Sequence, residues 1–158
     1  MIKVLFVCLG NICRSPLAEG LFQQKIMARG LEKYFFVDSS GTGNYHIGEL
    51  PDARTRSNAS RNGLELTSRA RQFGKQDFEN FDYIIPMDSS NRRNIRMHSE
   101  MFDEKIMLMR DFDHVERSAD VPDPYFGGES GFQNVYEILD RSTENFLDWL
   151  TDKHGLKS

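Results

Sequence analysis

A chain of 158 residues is long enough to fold as one domain with a buried core. Its formal charge of −4, from 20 Lys plus Arg against 24 Asp plus Glu, argues against a general nucleic-acid binder. No apolar run reaches the roughly 18 residues of a membrane-spanning helix, and the first residues do not resemble a secretory signal. We therefore expect a single domain over residues 1–158, located in the cytoplasm, with neither membrane nor nucleic acid as a partner.

Strand-like and helix-like segments alternate in the first half of the chain. Residues 2–7 are apolar on both alternations, as a strand covered on both faces is. Ser15 followed by Pro16 is typical of a helix start, with Ser as the N-cap and Pro at the first helical position. A second apolar run at residues 34–37 predicts the next strand, and residues 38–43 predict a loop.

The second half continues this alternation. A short helix is predicted over residues 52–62, and a third strand over residues 81–87. Asp88 or a following serine can cap the polar helix that comes next. Residues 105–109 predict a fourth strand, and apolar residues at helical spacing between 132 and 150 predict a last long helix. Such an alternation indicates βαβ units, and therefore an α/β domain with a parallel sheet covered by helices on both faces.

Residues 8–14, here called the 8–14 loop, join the first predicted strand to the first predicted helix. Ligands of open parallel sheets bind outside the carboxyl ends of the strands. Loop and helix N–H groups can converge there on a tetrahedral anion, with Gly10 and Asn11 available for unusual backbone angles. Arg14 adds a planar fork that binds two phosphate oxygens. Because this positive environment favours thiolate over thiol at Cys8, the loop predicts an anion site with a nucleophile at its centre.

Other interpretations of this loop are less consistent with its residues. The ATP-binding pattern G-x-x-x-x-G-K-S/T, the dinucleotide pattern G-x-G-x-x-G and the redox pattern C-x-x-C are all absent. Cys8 and Cys13 are the two cysteines of the chain, too few for a disulfide framework or a four-cysteine zinc site. For Cys13 a buried apolar role and a redox role both remain open.

A thiolate that attacks phosphorus also requires an acid to protonate the leaving oxygen. Asp123 stands out because Pro122 and Pro124 restrict its backbone, in a loop that two glycines close. The alternative is an aspartate that merely stabilises an Asx-type turn, and local chemistry leaves the two roles open. Asp120, three residues earlier, is the second candidate for the acid.

Two segments carry a family resemblance. Residues 7–19 (Val-Cys-Leu-Gly-Asn-Ile-Cys-Arg-Ser-Pro-Leu-Ala-Glu), with residues 123–127 (Asp-Pro-Tyr-Phe-Gly), resemble the low-molecular-weight protein tyrosine phosphatases over the whole chain. Similarity to the bacterial branch lies in residues 39–43, 45–46, 51–52 and 70–73. The resemblance implies a single three-layer phosphatase domain, with a four-stranded parallel sheet of order 2-1-3-4 flanked by helices. It also implies hydrolysis of phosphotyrosine and aryl phosphates through a phosphocysteine, without metal or other cofactor.

The resemblance implies roles for individual residues. Cys8 would be the nucleophile, Arg14 the phosphate clamp, and Asp123 the general acid and then the base. Ser15 would donate a hydrogen bond to the Cys8 thiolate, and Asn11 would hold the loop in its strained shape. Besides Cys8 and Arg14, the residues of the phosphate-binding loop would be Leu9, Gly10, Asn11, Ile12, Cys13 and Ser15.

The same resemblance implies a substrate slot and a redox pair. Cys13 would form a reversible disulfide with Cys8 under peroxide. Ser68 stands where mammalian relatives have a histidine and would make a weaker contact to the loop asparagine. Rim residues expected to bias substrate choice are Tyr45, His46, Arg69 and Arg71. The side chains expected to wall the slot are Leu9, Ile12, Tyr45, Tyr125 and Phe126, the last at a position where many relatives have a second tyrosine.

Alternative functions on the same scaffold are a protein arginine phosphatase and a thiol-dependent arsenate reductase. The first has a threonine at the position of Ile12, and the second requires additional cysteines late in the chain. A non-enzymatic phosphotyrosine-binding module would not need Cys8, Arg14 and Asp123 together. The expected partners are therefore phosphotyrosine-containing proteins, together with a cognate tyrosine kinase.

Overall fold

The computed structural model describes residues 1–125 and 127–158. Three parallel strands, β1 (Ile2–Cys8), β2 (Phe35–Gly41) and β3 (Tyr83–Pro86), form a sheet of order β2-β1-β3. The expected α/β class, with a parallel sheet flanked by helices, is confirmed. The helices are α1 (Arg14–Ala28), α2 (Ala53–Arg61), α3 (Asp77–Asn80), α4 (Ser89–Arg96) and α5 (Glu129–His154), with 3-10 turns at Glu32–Tyr34, Asp103–Lys105 and Met109–Phe112.

The expected fourth strand at residues 105–109 is wrong in the part of the chain that the structure describes. Ile106 forms a single parallel bridge with Ile84, and the Met107 N–H donates to the Ile84 carbonyl at 3.1 Å. The 3-10 turns at Asp103–Lys105 and Met109–Phe112 bend the backbone on both sides of this bridge, so the ladder cannot extend. The segment therefore lies beside β3, as the order 2-1-3-4 requires, without forming a strand.

The central strand β1 is covered on both faces. Val4, Phe6 and Cys8 face the larger apolar cluster, which α1 and α5 complete. Leu5 and Val7 face a smaller cluster formed by residues 73–81 and α4. The alternation along one strand therefore builds both cores, and the carboxyl end of β1 is held between them.

The second strand is longer than its sequence pattern indicates. Residues 38–41 were expected in a loop, yet β2 continues through them and pairs with β1 until Cys8 lies opposite Gly41. Asp-Ser-Ser-Gly is a poor strand sequence by propensity. Pairing with the central strand and burial of Ser39 and Ser40 outweigh that local preference.

Gly41 is required by the close approach of the 8–14 loop. A Cβ at this position would lie 2.7 Å from the Leu9 carbonyl oxygen and 3.0 Å from the Asn11 nitrogen. Just beyond it, the N–H groups of Thr42 and Gly43 donate to the carbonyls of Cys8 and Leu9 at 2.9 Å each. The end of β2 therefore holds one side of the loop in place.

Helix starts were predicted with mixed success. The N-cap role of Ser15 is wrong, because α1 begins at Arg14 and its N-cap, Cys13, makes no side-chain capping bond. Asp88 caps α4 as predicted, whereas Asp52, predicted as the first residue of a helix, is the N-cap of α2; both accept from N–H groups of the first turns. Within the described residues, no helix is both long and apolar enough to cross a bilayer.

Candidate active site

The 8–14 loop presents a row of backbone donors. Asn11 adopts the left-handed conformation, with φ 56°, whereas Gly10 does not. Among the described residues, no protein group accepts a hydrogen bond from the N–H groups of residues 10–13. Four successive unpaired N–H groups at the start of α1 form an arrangement that suits a multiply charged oxyanion.

Ser15 places a hydroxyl and a backbone N–H at the sulfur of Cys8. Its hydroxyl lies 3.0 Å from the sulfur, and its backbone N–H donates to the sulfur at 3.4 Å. Cys8 is 2% exposed, at the carboxyl end of β1. A hydroxyl and an N–H at the sulfur, at the start of a helix, are groups that can stabilise a negative charge formed there.

Asn11 connects the loop to its surroundings through both ends of its amide. Its Nδ2 donates to the hydroxyl of Ser15 at 2.7 Å and to that of Ser39 at 3.0 Å. Its Oδ1 accepts from the backbone N–H of Arg71 at 3.0 Å. The expected contact with Ser68 is not made, because the backbone of Arg71 takes that place.

A buried carboxyl group ends this chain of hydrogen bonds. The hydroxyl of Ser39 donates to Glu19 Oε1 at 2.5 Å. Burial raises the pKa of Glu19 from its ordinary value of 4.5 to about 7, and the hydrogen bond from Ser39 opposes this rise. Sequence reasoning missed both residues, because a glutamate on a helix and a serine in a loop-like stretch are usually exposed.

Arg14 is held by Asp88, which follows β3, and by Val121, which lies in the segment before α5. Its Nη1 donates to Asp88 Oδ2 at 2.6 Å and to the Val121 carbonyl at 3.0 Å, and the residue is 2% exposed. Burial alone would lower the pKa of Arg14, but the negative charges of Cys8 and Asp88 raise it. Arg14 therefore remains a cation. Its position depends on Asp88, for which the sequence indicated only a capping role.

Asp123 forms the turn that the sequence left open as one of its roles, and it also lines the cavity above Cys8. Its Oδ1 accepts from the Tyr125 N–H at 3.0 Å, which is an Asx-type turn. Its Oδ2 lies 3.6 Å from Arg14 Nη2, and the residue lines the same cavity as Cys8. Asp120 instead accepts from the Ser89 N–H at the start of α4 and lies outside this cavity.

The cavity above Cys8 has a volume of about 270 Å³. Of the expected slot residues, the structure brings together Leu9, Ile12, Tyr45 and Tyr125. Phe126 lies outside the described residues. The cavity is lined by Cys8, Leu9, Gly10, Ile12, Cys13, Arg14, Tyr45, His46, Asp123 and Tyr125.

Two other residues expected at the rim of the cavity differ in their positions. His46 lines the cavity, whereas the prediction for Arg71 is wrong. The guanidinium of Arg71 bonds to Asp38 at 2.9 Å and to Asp77 at 3.1 Å, and it lines a different cavity from the one above Cys8. Within residues 1–125 and 127–158, no three His, Cys, Asp or Glu side chains are grouped so as to hold a metal ion.

A thiol at the end of the central strand, a loop of free N–H groups and a buried arginine define the class of cysteine-dependent phosphatases. The profile of the family described as "Low molecular weight phosphotyrosine protein phosphatase" matches residues 3–156. The chain belongs to this family and is an enzyme.

Individual relatives agree with this assignment. A fission yeast low molecular weight phosphotyrosine protein phosphatase is 47% identical over 148 residues, covering 92% of this chain and 95% of that protein. A Bacillus subtilis low molecular weight protein-tyrosine-phosphatase is 43% identical over 150 residues, covering 93% and 94%. The crystal structure of an Entamoeba histolytica protein tyrosine phosphatase gives a TM-score of 0.93 at 40% identity, covering 98% and 99%. The resemblance drawn from residues 7–19 and 123–127 is thereby confirmed.

We expect Glu19→Gln to change how stability depends on pH. Between pH 4.5 and about 7 the folded protein keeps the Glu19 proton and the unfolded chain does not. The free energy of unfolding of the wild type should therefore fall as pH rises through this window, by up to about 3 kcal/mol, and then level off. Glutamine has no such proton. The free energy of unfolding of the variant should therefore rise relative to that of the wild type as pH increases over the same window.

Urea unfolding between pH 4.5 and 8, followed by tryptophan fluorescence, measures this difference. Glu65→Gln, at an exposed position, is the matched control. The difference between its free energy of unfolding and that of the wild type should stay constant with pH. A constant gap between Glu19→Gln and the wild type at every pH would contradict the prediction.

Proposed function

We propose that this enzyme hydrolyses phosphotyrosine in proteins, and small aryl phosphates, in two steps through a phosphocysteine. The observation that carries the proposal is that Cys8, Arg14 and Asp123 line one cavity, below walls of apolar and aromatic side chains. Nucleophile, anion clamp and acid are the three groups that such a reaction requires.

In the first step the phosphate is bound by the N–H groups of residues 10–13 and by Arg14. The thiolate of Cys8 attacks phosphorus in line, the sulfur–phosphorus bond forms, and the bond from phosphorus to the phenolic oxygen breaks. Asp123 gives its proton to that oxygen, so that tyrosine leaves neutral.

In the second step Asp123 acts as a base. Its carboxylate takes a proton from water, and the water oxygen attacks phosphorus. The sulfur–phosphorus bond breaks, and inorganic phosphate is released. The electron pair returns to the Cys8 sulfur as thiolate, which the hydroxyl and N–H of Ser15 receive with hydrogen bonds. Arg14 remains against the phosphate throughout, since its partners Asp88 and Val121 restrict its movement.

The shape of the cavity supports phosphotyrosine as the substrate. The sulfur of Cys8 is nearly inaccessible, so a long, flat side chain reaches it and phosphoserine does not. Ile12 lines the cavity as an apolar side chain where arginine phosphatases have threonine. For arsenate reduction, the chain has no cysteine beyond Cys8 and Cys13 to resolve an arsenylated intermediate.

Phosphotyrosine, phosphoserine and phosphoarginine peptides of one sequence, assayed side by side, test the substrate class. We expect kcat/KM for phosphotyrosine to exceed the other two by on the order of 100-fold, because only its ring fills the slot. Cys8→Ser should lower turnover by at least about 1000-fold while circular dichroism shows an intact fold. A preference for phosphoarginine, or near wild-type turnover in Cys8→Ser, would contradict the proposal.

The role of Asp123 is tested by the leaving group. We expect Asp123→Asn to lower kcat/KM for phenyl phosphate by about 100-fold or more, and less for p-nitrophenyl phosphate, whose phenol leaves without a proton. Since kcat/KM reports the steps up to the first release, the comparison isolates protonation. Asp120→Asn is the matched control and should change neither value greatly. Equal losses on both substrates would assign Asp123 a structural role through its turn with Tyr125.

We also propose that Cys13 protects Cys8 from oxidation. Both thiols are free and line the same cavity. Burial raises the pKa of Cys13 to about 12, opposed by a hydrogen bond with Thr55, so Cys13 stays a thiol. Peroxide would oxidise Cys8 to a sulfenic acid. The Cys13 sulfur would then displace the hydroxyl group, which leaves as water with the Cys13 proton, and the disulfide forms.

Peroxide treatment followed by mass spectrometry measures this disulfide. We expect a Cys8–Cys13 bond that dithiothreitol reverses with recovery of activity. In Cys13→Ser, Cys8 should proceed to sulfinic and sulfonic acid and activity should not return. Sulfonic acid at Cys8 in the wild type, without any disulfide, would contradict the protective role.

The proposed partners are phosphotyrosine proteins, together with a cognate tyrosine kinase that supplies them. A cytoplasmic location accords with a nucleophile that acts only as a reduced thiolate, because cytosolic thiols are kept reduced.

A further inference from the structure

A second cavity, of about 430 Å³, adjoins the active-site cavity. The two share Ile12, His46 and Tyr125 as a common wall, and beyond that wall the second cavity continues to Arg56 and Arg69. We call it the Arg56/Arg69 groove. No catalytic step described above uses it.

Short backbone contacts join the groove to the 8–14 loop. The Asp52 N–H, at the start of α2, donates to the Ile12 carbonyl at 2.8 Å. On the other side, the Gly48 N–H donates to the Ala70 carbonyl and the Ala70 N–H to the Glu49 carbonyl, both at 2.8 Å. The first bond therefore positions one wall of the groove relative to the phosphate-binding loop, and the other two hold the segment of Gly48 and Glu49 against Ala70.

Both arginines are oriented by these same walls. Arg56 Nε donates to the Pro51 carbonyl, and Arg69 Nη1 donates to the Gly48 carbonyl, each at 2.9 Å. Each bond uses one of the five N–H donors of a guanidinium, so four remain on each side chain. The two cations are therefore held at the groove with most of their donors available.

The acidic side chains of the groove are engaged with other groups. Asp52 accepts from both the backbone and the guanidinium of Arg54, and Glu49 lies 3.0 Å from His46 Nδ1. Across the described residues, neither Arg56 nor Arg69 takes part in an ion pair. The groove thus carries two arginines whose guanidinium groups form no ion pair with any described residue, although the net charge of the protein is −4.

One path for a peptide whose phosphotyrosine occupies the slot runs past the shared wall of Ile12, His46 and Tyr125. Because an extended chain advances about 3.3–3.6 Å per residue, side chains one to three residues from the phosphotyrosine come within reach of the groove. Guanidinium groups bind carboxylate and phosphate through paired hydrogen bonds. We propose that the Arg56/Arg69 groove is a substrate subsite for an anionic side chain that flanks the phosphotyrosine.

This inference rests on the proposed function and defines its substrate class more narrowly. The anion is a carboxylate of Asp or Glu, or a second phosphate on a nearby serine. Each exposed ion pair contributes little by itself, so two arginines together give a preference of about 5- to 10-fold at low salt. The preference lies in KM, since the contact exists before and during reaction alike, and it weakens as salt screens the charges.

Three phosphotyrosine peptides test the subsite, with glutamates, with glutamines, or with one phosphoserine within three residues of the phosphotyrosine. We expect the wild type to prefer the glutamate and phosphoserine peptides to the glutamine peptide by about 5- to 10-fold in kcat/KM. Arg56→Gln/Arg69→Gln should reduce both ratios to near one. The readout is a ratio between peptides, which cancels any effect common to all three.

The matched control is Lys33→Gln/Lys153→Gln, which removes the same formal charge. These lysines lie against Tyr34 and Trp149, near the amino ends of the strands and away from Cys8. The control should keep both ratios. A preference for the phosphoserine peptide alone assigns the subsite to a second phosphate.

Equal kcat/KM for all three peptides in the wild type, or loss of the ratios in the lysine control, would overturn the subsite. Failure of the wild type to hydrolyse phosphotyrosine itself would overturn the proposed function instead. In that case, dissociation constants of the three peptides with Cys8→Ser still test the groove, because binding needs no turnover.

Discussion

The amide of Asn11, held in the left-handed conformation, is the contact on which the geometry of this site depends. Its three hydrogen bonds connect the 8–14 loop to Ser15 beside the nucleophile, to Ser39 on β2 and to the backbone of Arg71. An unusual backbone angle in a non-glycine residue persists only when its surroundings compensate for the strain. Here the compensation leaves the N–H groups of residues 10–13 free for a substrate anion.

Two ion pairs of Arg14, at the end of that loop, determine the electrostatics of the site. The side chains of Asp88 and Asp123 both lie within ion-pair distance of one buried cation, Arg14. Asp88 lies on the far side of Arg14, where it fixes the guanidinium without competing for the phosphate. Asp123 lies 3.6 Å from Arg14 Nη2, is more exposed than Asp88, and lines the cavity where the proposed mechanism uses it as acid and base. The ion pair with Asp88 positions Arg14, and the one with Asp123 places Arg14 next to the proposed acid.

Charge is distributed unevenly over the surface around this site. The chain as a whole is acidic, yet the groove that continues from the slot presents two arginines held by carbonyl groups. A net negative charge repels anionic peptides at long range, whereas the two arginines of the proposed subsite attract an anionic side chain close to the nucleophile. Such an arrangement favours selectivity for the correct orientation over general affinity for anions.

The sequence by itself determined what depends on neighbouring residues. Local order was sufficient to predict the buried strand at residues 2–7, the helix after the 8–14 loop, Asp88 as one of the possible caps, and the motif of Cys8 and Arg14. Only the tertiary structure decided the extent of β2, the single bridge at Ile106 in place of a fourth strand, and the partners of Ser15 and Arg71. These depend on pairing and burial between segments distant in the chain, which outweigh local propensity because each buried donor and acceptor must find a partner. The same reason explains why Asp88 was predicted as a cap and found also to hold Arg14.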